Sequence, residues 1–175
     1  MCAQCAGRSS PIRAILAAYP FEGALRAAIL ALKYQRRTRL VPLLSAALAA
    51  ALAVRPLQID LIVPVPLAPG RHRDRGFNQA ELIARPLAAA QSWPLAPDAL
   101  VRSRETPQQT RLAARERRAN VAGAFAVLDP VAVQDRRILL VDDVCTTGAT
   151  LESCAAPLLE AGAAGVWGIV AAREV

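Results

Sequence analysis

Residues 138–150 read ILLVDDVCTTGAT: four aliphatic residues run into Asp142 and Asp143, and Thr146, Thr147, Gly148, Ala149 and Thr150 follow. A continuous apolar run with β-branched members is the pattern of a strand buried on both faces, as in a parallel sheet. A helix is expected from about Gly148 to Glu160, ended by Gly162, and GVWGIVAA supplies a last strand. Ligands of open α/β sheets bind beyond the carboxyl ends of strands. The segment places two carboxylates at such an end, directly before a helix start rich in hydroxyls. Backbone N–H groups and hydroxyls at a helix N-terminus hold a phosphate, and small residues let it approach closely. Carboxylates there would repel a phosphate unless they served another part of the ligand. Ribose hydroxyls, or a Mg²⁺ bridging them to a diphosphate, suit them. A sugar phosphate satisfies both halves of the motif, whereas an acidic strand end or a polar turn explains only one.

Working outward, IDLIVPVPL predicts a buried strand ending at about Val63, closed by two prolines and followed by a rigid loop, APGRHRDRGF. Asn78 precedes Glu81 by three residues at the head of NQAELIARPLAAAQ, where it can cap a helix while the Glu reaches back to it. Pro86 should kink that helix. A short strand is expected at Ala99–Arg102 and an edge strand at Phe125–Leu128. Between them lies RETPQQTRLAARERRANVAGAF, read as either a surface helix or a long loop. Towards the N-terminus, Leu25, Ile29 and Leu32 have helical spacing within PIRAILAAYPFEGALRAAILALKYQRR, and a second helix should run from Pro42 to about Val54. Strands alternating with helices predict an α/β domain with a mainly parallel sheet.

A chain of 175 residues fits one domain. Lys33 is the only lysine, and ten of the twenty arginines lie between Arg71 and Arg118, so the net charge of +7 is an arginine charge that favours anionic partners. A solvated arginine-rich surface explains most of them singly; those inside candidate loops are the exception. Phe77, Trp93, Phe125 and Trp167 form no interleaved basic and aromatic series, which weakens the picture of a base-stacking platform. The N-terminus MCAQCAGRSS lacks the apolar core of a secretory signal, and the longest uncharged run, Leu40–Val54, is shorter than the roughly 20 residues that span a bilayer. A cytoplasmic protein without membrane insertion is expected.

ILLVDDVCTTGAT resembles the 5-phosphoribosyl-1-pyrophosphate (PRPP) binding loop of type I phosphoribosyltransferases. FEGALRAAILALKYQRR, DLIVPVPLAPGRHRDRGFNQAELIA, LVRSRETPQQTRLAARERRANVAGAF and that loop, in this order, resemble the ComF family of competence-associated, phosphoribosyltransferase-like proteins, from about Cys2 to Arg173. RGFNQAELIA and TPQQTRLAARERRANVAGAF are the discriminating stretches.

The resemblance implies an α/β, type I phosphoribosyltransferase-like fold: a mainly parallel twisted sheet flanked by helices, with a small N-terminal helical hood. The domain would cover residues 11–175, with 11–57 as the helical N-terminal layer. Asp142 and Asp143 would contact the ribose hydroxyls, directly or through Mg²⁺, and Thr146, Thr147, Gly148, Ala149 and Thr150 would cradle the 5-phosphate. Pro66, Arg71, Arg73 and Arg75, in the loop Pro64–Arg75, would sit at the pyrophosphate, which guanidinium forks match well. Thr106, Gln108, Gln109, Arg111, Arg117 and Asn120 would belong to a flexible loop that closes over PRPP and excludes water.

The implied function is Mg²⁺-dependent binding of PRPP and transfer of its phosphoribosyl group to a nitrogenous acceptor, with release of pyrophosphate. The alternative is a non-catalytic PRPP-binding protein that handles single-stranded DNA, with the competence machinery as partner. No residue stands out as a general base, and neither Glu105 nor Glu116 is selected over the other. Members of the family commonly begin with two Cys-x-x-Cys pairs that form a zinc site. Here only Cys2 and Cys5 are present, so residues 1–10 are expected to be the remnant of a cysteine-rich module and no zinc site is expected from Cys2 and Cys5 alone. Cys154 reads as a core residue, Cys145 as a loop residue and His72 as a solvated or phosphate-adjacent one.

Overall fold

The aliphatic run at 138–141 lies in one of the two inner strands of a parallel sheet. The structure, a computed structural model, describes residues 10–103 and 123–174. Its elements are β1 (Ile15–Pro20), α1 (Gly23–Gln35), a 3₁₀ turn (Thr38–Leu40), α2 (Val41–Val54), β2 (Leu61–Pro64), α3 (Pro69–Arg75), α4 (Gln79–Gln91), β3 (Leu100–Arg102), β4 (Phe125–Val127), α5 (Pro130–Val133), β5 (Arg137–Cys145), α6 (Ala149–Glu160) and β6 (Gly165–Arg173). Four strands form the sheet in the order β1-β6-β5-β2, every neighbour parallel, so their carboxyl ends share one edge. β3 and β4 pair antiparallel as a separate small sheet.

Alternation along β5 decides what each face buries. Ile138 and Leu140 pack with Leu151, Cys154, Ala155 and Leu158 of α6, whereas Leu139 and Val141 pack with Ile29 and Leu32 of α1, Leu44 and Leu48 of α2 and Ile83 and Leu87 of α4. All four strand residues are fully buried. Apolar burial on both faces is what the uninterrupted run encodes. Cys154 is fully buried, as expected. Cys145 is buried as well, at the last position of β5 rather than in a loop.

Three local expectations are corrected. Residues 11–57 were expected to be a helical layer, yet Ile15–Pro20 form a strand, paired along β6 from Ile15 with Gly168 to Pro20 with Arg173. The open edge of β6 offers hydrogen bonds that override the weak strand preference of the alanines, and Pro20, which cannot donate to a ladder, sits at the end of an edge strand. The Pro64–Arg75 loop contains the helix α3, with Pro69 in its first turn and Gly76 in a left-handed conformation closing it. Finally, Asn78 does cap α4, its Oδ1 accepting from Ala80 N at 3.1 Å, but Glu81 accepts from Arg85 Nε at 3.1 Å instead of reaching back. No helix among the described residues is long and apolar enough to cross a membrane.

The start of β2 is fastened to β5 by a forked ion pair. Arg137 Nε and Nη2 donate to Asp60 Oδ2 and Oδ1 at 2.8 and 2.7 Å, and Arg137 N donates to Oδ2 at 2.9 Å. Hydrogen bonds from the Arg137 side chain and backbone hold the Asp60 carboxyl well below the usual carboxylate range. A depressed carboxyl pKa contributes stability above its unfolded value, near 3.9, and loses it as pH falls towards the folded value. The melting-temperature gap between the wild type and Asp60→Asn should therefore be widest at neutral pH and narrow below about pH 4. A gap independent of pH between 7 and 3 would contradict this.

Candidate functional site

A cleft of about 690 Å³ opens at the carboxyl edge of β2 and β5, between α1, α3, the head of α4 and the start of α6. Asp142, Asp143 and the five residues from Thr146 to Thr150 line it from one side, Pro66, Arg71 and Arg75 from the other. Of the residues singled out in sequence, it leaves out Arg73. The cause is α3: at 3.6 residues per turn Arg71 and Arg75 share a face, and Arg73 points elsewhere, exposed beside His72. Thr106, Gln108, Gln109, Arg111, Arg117 and Asn120, like Cys2 and Cys5, lie outside the described residues.

Strand geometry separates the two aspartates. β5 is assigned through Cys145, so adjacent residues 142 and 143 point to opposite faces of the sheet. Asp143, on the face of α1, is buried and forms an ion pair with Lys33, Nζ to Oδ1 at 2.8 Å. Asp142 continues the face of Ile138 and Leu140, and its Oδ1 accepts from Asp143 N at 2.8 Å. Burial, with the nearby Asp143 charge second, raises the Asp142 carboxyl well above the usual range, and Lys33 partly opposes this.

Gly148 makes the turn from strand to helix. It is left-handed, φ 83°, the conformation that favours glycine, and a Cβ there would crowd Ile15 Cδ1 of the edge strand β1 at 3.1 Å. Glycine thereby starts α6 on the cleft wall beside Thr147 and Thr150, with Ala149 N donating to Thr147 Oγ1 at 3.4 Å, and a helix N-terminus at this place suits an anion.

Three cleft residues escaped the sequence reading. Lys33 arrives from α1, across more than a hundred residues of chain, and its one legible signal is that it is the only lysine. Arg102, at the end of β3, lies over the Phe125 ring at 5.3 Å. Burial, then the proximity of Arg71, lowers its pKa, and two guanidiniums on one cleft are best accommodated by an anion between them. No local pattern marked it. Gln79 is 1% exposed; its Oε1 accepts from Arg75 Nη1 at 3.0 Å, while its Nε2 has no hydrogen-bond partner. A buried donor left unsatisfied costs about 1–3 kcal/mol, and such a donor on a cleft wall suits a ligand acceptor. Its signal was present in the RGFNQA stretch.

Among the described residues no group of three or more His, Cys, Asp or Glu side chains could hold a metal ion. Mg²⁺ here would need most of its six oxygens from ligand and water, with Asp142 and Asp143 contributing at most two carboxylates, one of them already paired with Lys33.

No protein-family model matches the chain. It is 36% identical over 170 residues to the DNA utilization protein YhgH of Escherichia coli strain K12, covering 94% of this chain and 74% of that protein. Competence protein F of Haemophilus influenzae is 36% identical over 116 residues, 65% of this chain and 51% of its own length. Among solved structures, the Bacillus subtilis glutamine PRPP amidotransferase complexed with ADP and GMP matches 77% of this chain and 25% of its own, with 21% identity and a TM-score of 0.45.

Proposed function

Since the chain belongs to the ComF family of competence and DNA utilization proteins, we propose that its cleft binds PRPP and that the protein transfers the phosphoribosyl group to a nitrogenous acceptor, releasing pyrophosphate. One observation carries the reading: a single cleft joins hydroxyl-accepting carboxylates, a glycine-built helix start and guanidiniums at separate positions. These match a 5-phosphoribosyl group and a diphosphate, in that order. Asp142 and Asp143 take the ribose hydroxyls, Thr146 to Thr150 the 5-phosphate, and Arg71, Arg75 and Arg102 the diphosphate. Asp142 would supply a carboxylate oxygen to a Mg²⁺ bound with the diphosphate, and the metal would offset part of the diphosphate charge. Displacement at C1 passes through a cation-like transition state, so the chain's part is to position the ligand and to stabilise the departing negative charge. The buried Gln79 amide adds a donor on the same wall.

Calorimetry with PRPP and Mg²⁺ tests the binding, and a screen of purines, pyrimidines and amines for pyrophosphate release tests the transfer. Saturable PRPP binding is expected; a folded protein that binds none overturns the reading. The DNA-handling alternative gains from the relatives' names and from a feature of the hood. Tyr19 and Tyr34 are 55% and 69% exposed, and Arg26, Arg36, Arg37 and Arg39 are exposed on the same segment. That interleaving, absent from the aromatics first considered, suits a phosphate backbone and a base stacked on Tyr19, the Arg75 guanidinium already lying over the Tyr34 ring at 5.4 Å. Salt-dependent binding of single-stranded DNA without any pyrophosphate release would favour it.

A further inference from the structure

The single lysine of a chain with twenty arginines places its ammonium in the cleft, beside Asp143. Lys33 Nζ lies 2.8 Å from Asp143 Oδ1, and the two side chains are only 19% and 10% exposed, so this is an enclosed pair rather than a surface one. The last turn of α1, which carries Lys33, is fixed to the opposite wall. Arg36 Nη2 donates to Asp74 O at 2.8 Å just beyond the helix, and the Arg75 guanidinium lies over the Tyr34 ring at 5.4 Å while also donating to Gln79. These tethers keep the ammonium at Asp143.

The choice of lysine has a physical consequence. An ammonium is a compact point charge that can sit where one metal ion would, whereas a guanidinium is a broad planar fork. It neutralises Asp143, engages one carboxylate oxygen and opposes a dication at the same place by like charge. We propose that Lys33 is the resident counter-cation of this site: it holds Asp143 ready for sugar hydroxyls, so that the ribose 5-phosphate portion of a ligand is bound without a divalent cation, and it keeps Asp143 from acting as a metal ligand. The proposal rests on the ribose phosphate reading above, and it confines the need for Mg²⁺ to ligands that bring a diphosphate.

The test is titration calorimetry of ribose 5-phosphate in EDTA and in Mg²⁺, with Mn²⁺ binding to the ligand-free protein followed by electron paramagnetic resonance. Wild type should bind ribose 5-phosphate with affinities within about twofold in the two buffers and should bind no Mn²⁺ at this site. Lys33→Met should lose tenfold or more of its affinity in EDTA, regain it in Mg²⁺, and acquire a Mn²⁺ site. Lys33→Gln, which can still donate a hydrogen bond to Asp143, should shift the same way and serves if Lys33→Met does not fold. A purely structural lysine would alter affinity equally in both buffers. Equal loss in both, or wild-type binding that falls tenfold in EDTA, overturns the proposal while leaving the ribose phosphate reading intact. No binding of ribose 5-phosphate by wild type in either buffer overturns that reading, and this proposal with it.

Discussion

Replacing both Asp142 and Asp143 by asparagine should abolish PRPP binding in a protein that remains folded. Each carboxylate is assigned hydrogen bonds from ribose hydroxyls, and a hydrogen bond to a charged group contributes about 1.5–3 kcal/mol. Two such losses amount to roughly 10²–10⁴-fold in affinity, at 1.4 kcal/mol per tenfold. The amides keep the shape of the strand end, and the Lys33 ammonium left by Asp143→Asn retains some contact with water. Circular dichroism should therefore be unchanged while calorimetry shows no saturable heat; wild-type affinity in the double variant would remove the acidic pair from the site. Asp142→Asn alone adds a pH test. The raised Asp142 pKa means that the folded protein binds this proton more tightly than the unfolded chain. Its contribution to stability is present below the unfolded pKa, near 3.9, and fades as pH rises through the folded value. Affinity for a hydroxyl-donating ligand should rise over that same interval as the carboxylate forms. Asp142→Asn should flatten both trends.

Leu140→Ala should be among the most damaging single changes to stability. Leu140 is fully buried in the inner strand β5, opposite Val63 of β2 and Gly168 of β6, and two residues before Asp142 on the same face. Emptying such a site costs about 2–5 kcal/mol, a large part of the 5–15 kcal/mol that typically separates folded from unfolded. At about 2–4 °C per kcal/mol for a chain of this size, the melting temperature should fall by roughly 5–20 °C. Leu43, on α2 and 59% exposed, is the control, since Leu43→Ala should stay within about 0.5 kcal/mol. Equal effects at the two positions would mean that the sheet interior is not where β5 places it.

The parts legible in the sequence were local. Four aliphatic residues before two acids mark a buried strand and its end, because apolar side chains on both faces have few other homes. Pro42 and the Asn78 cap fix helix starts by the chemistry of their own first turns. The helix of Arg71 and Arg75 was harder to read, because seven residues rich in Gly, Pro and Arg carry no apolar stripe and α3 buries none of its residues. β1 was missed for a related reason: its six residues include two alanines and end in proline, and an edge strand is held by its neighbour's ladder more than by its own pattern.

Sequence alone therefore determined the small-residue turn into α6, the acidic strand end and the alternation of strands with helices, since each depends on neighbours within a few residues. Tertiary structure decided how the two aspartates differ. Period-two alternation sends them to opposite faces whatever surrounds them, but only long-range packing brings Lys33 to Asp143 and leaves Asp142 with no ion pair among the described residues. The same packing brings Arg102 to the cleft that Arg71 lines. The charge state of the site is set by groups far apart in the chain, because electrostatic energy depends on distance and desolvation in the folded molecule rather than on order along the chain.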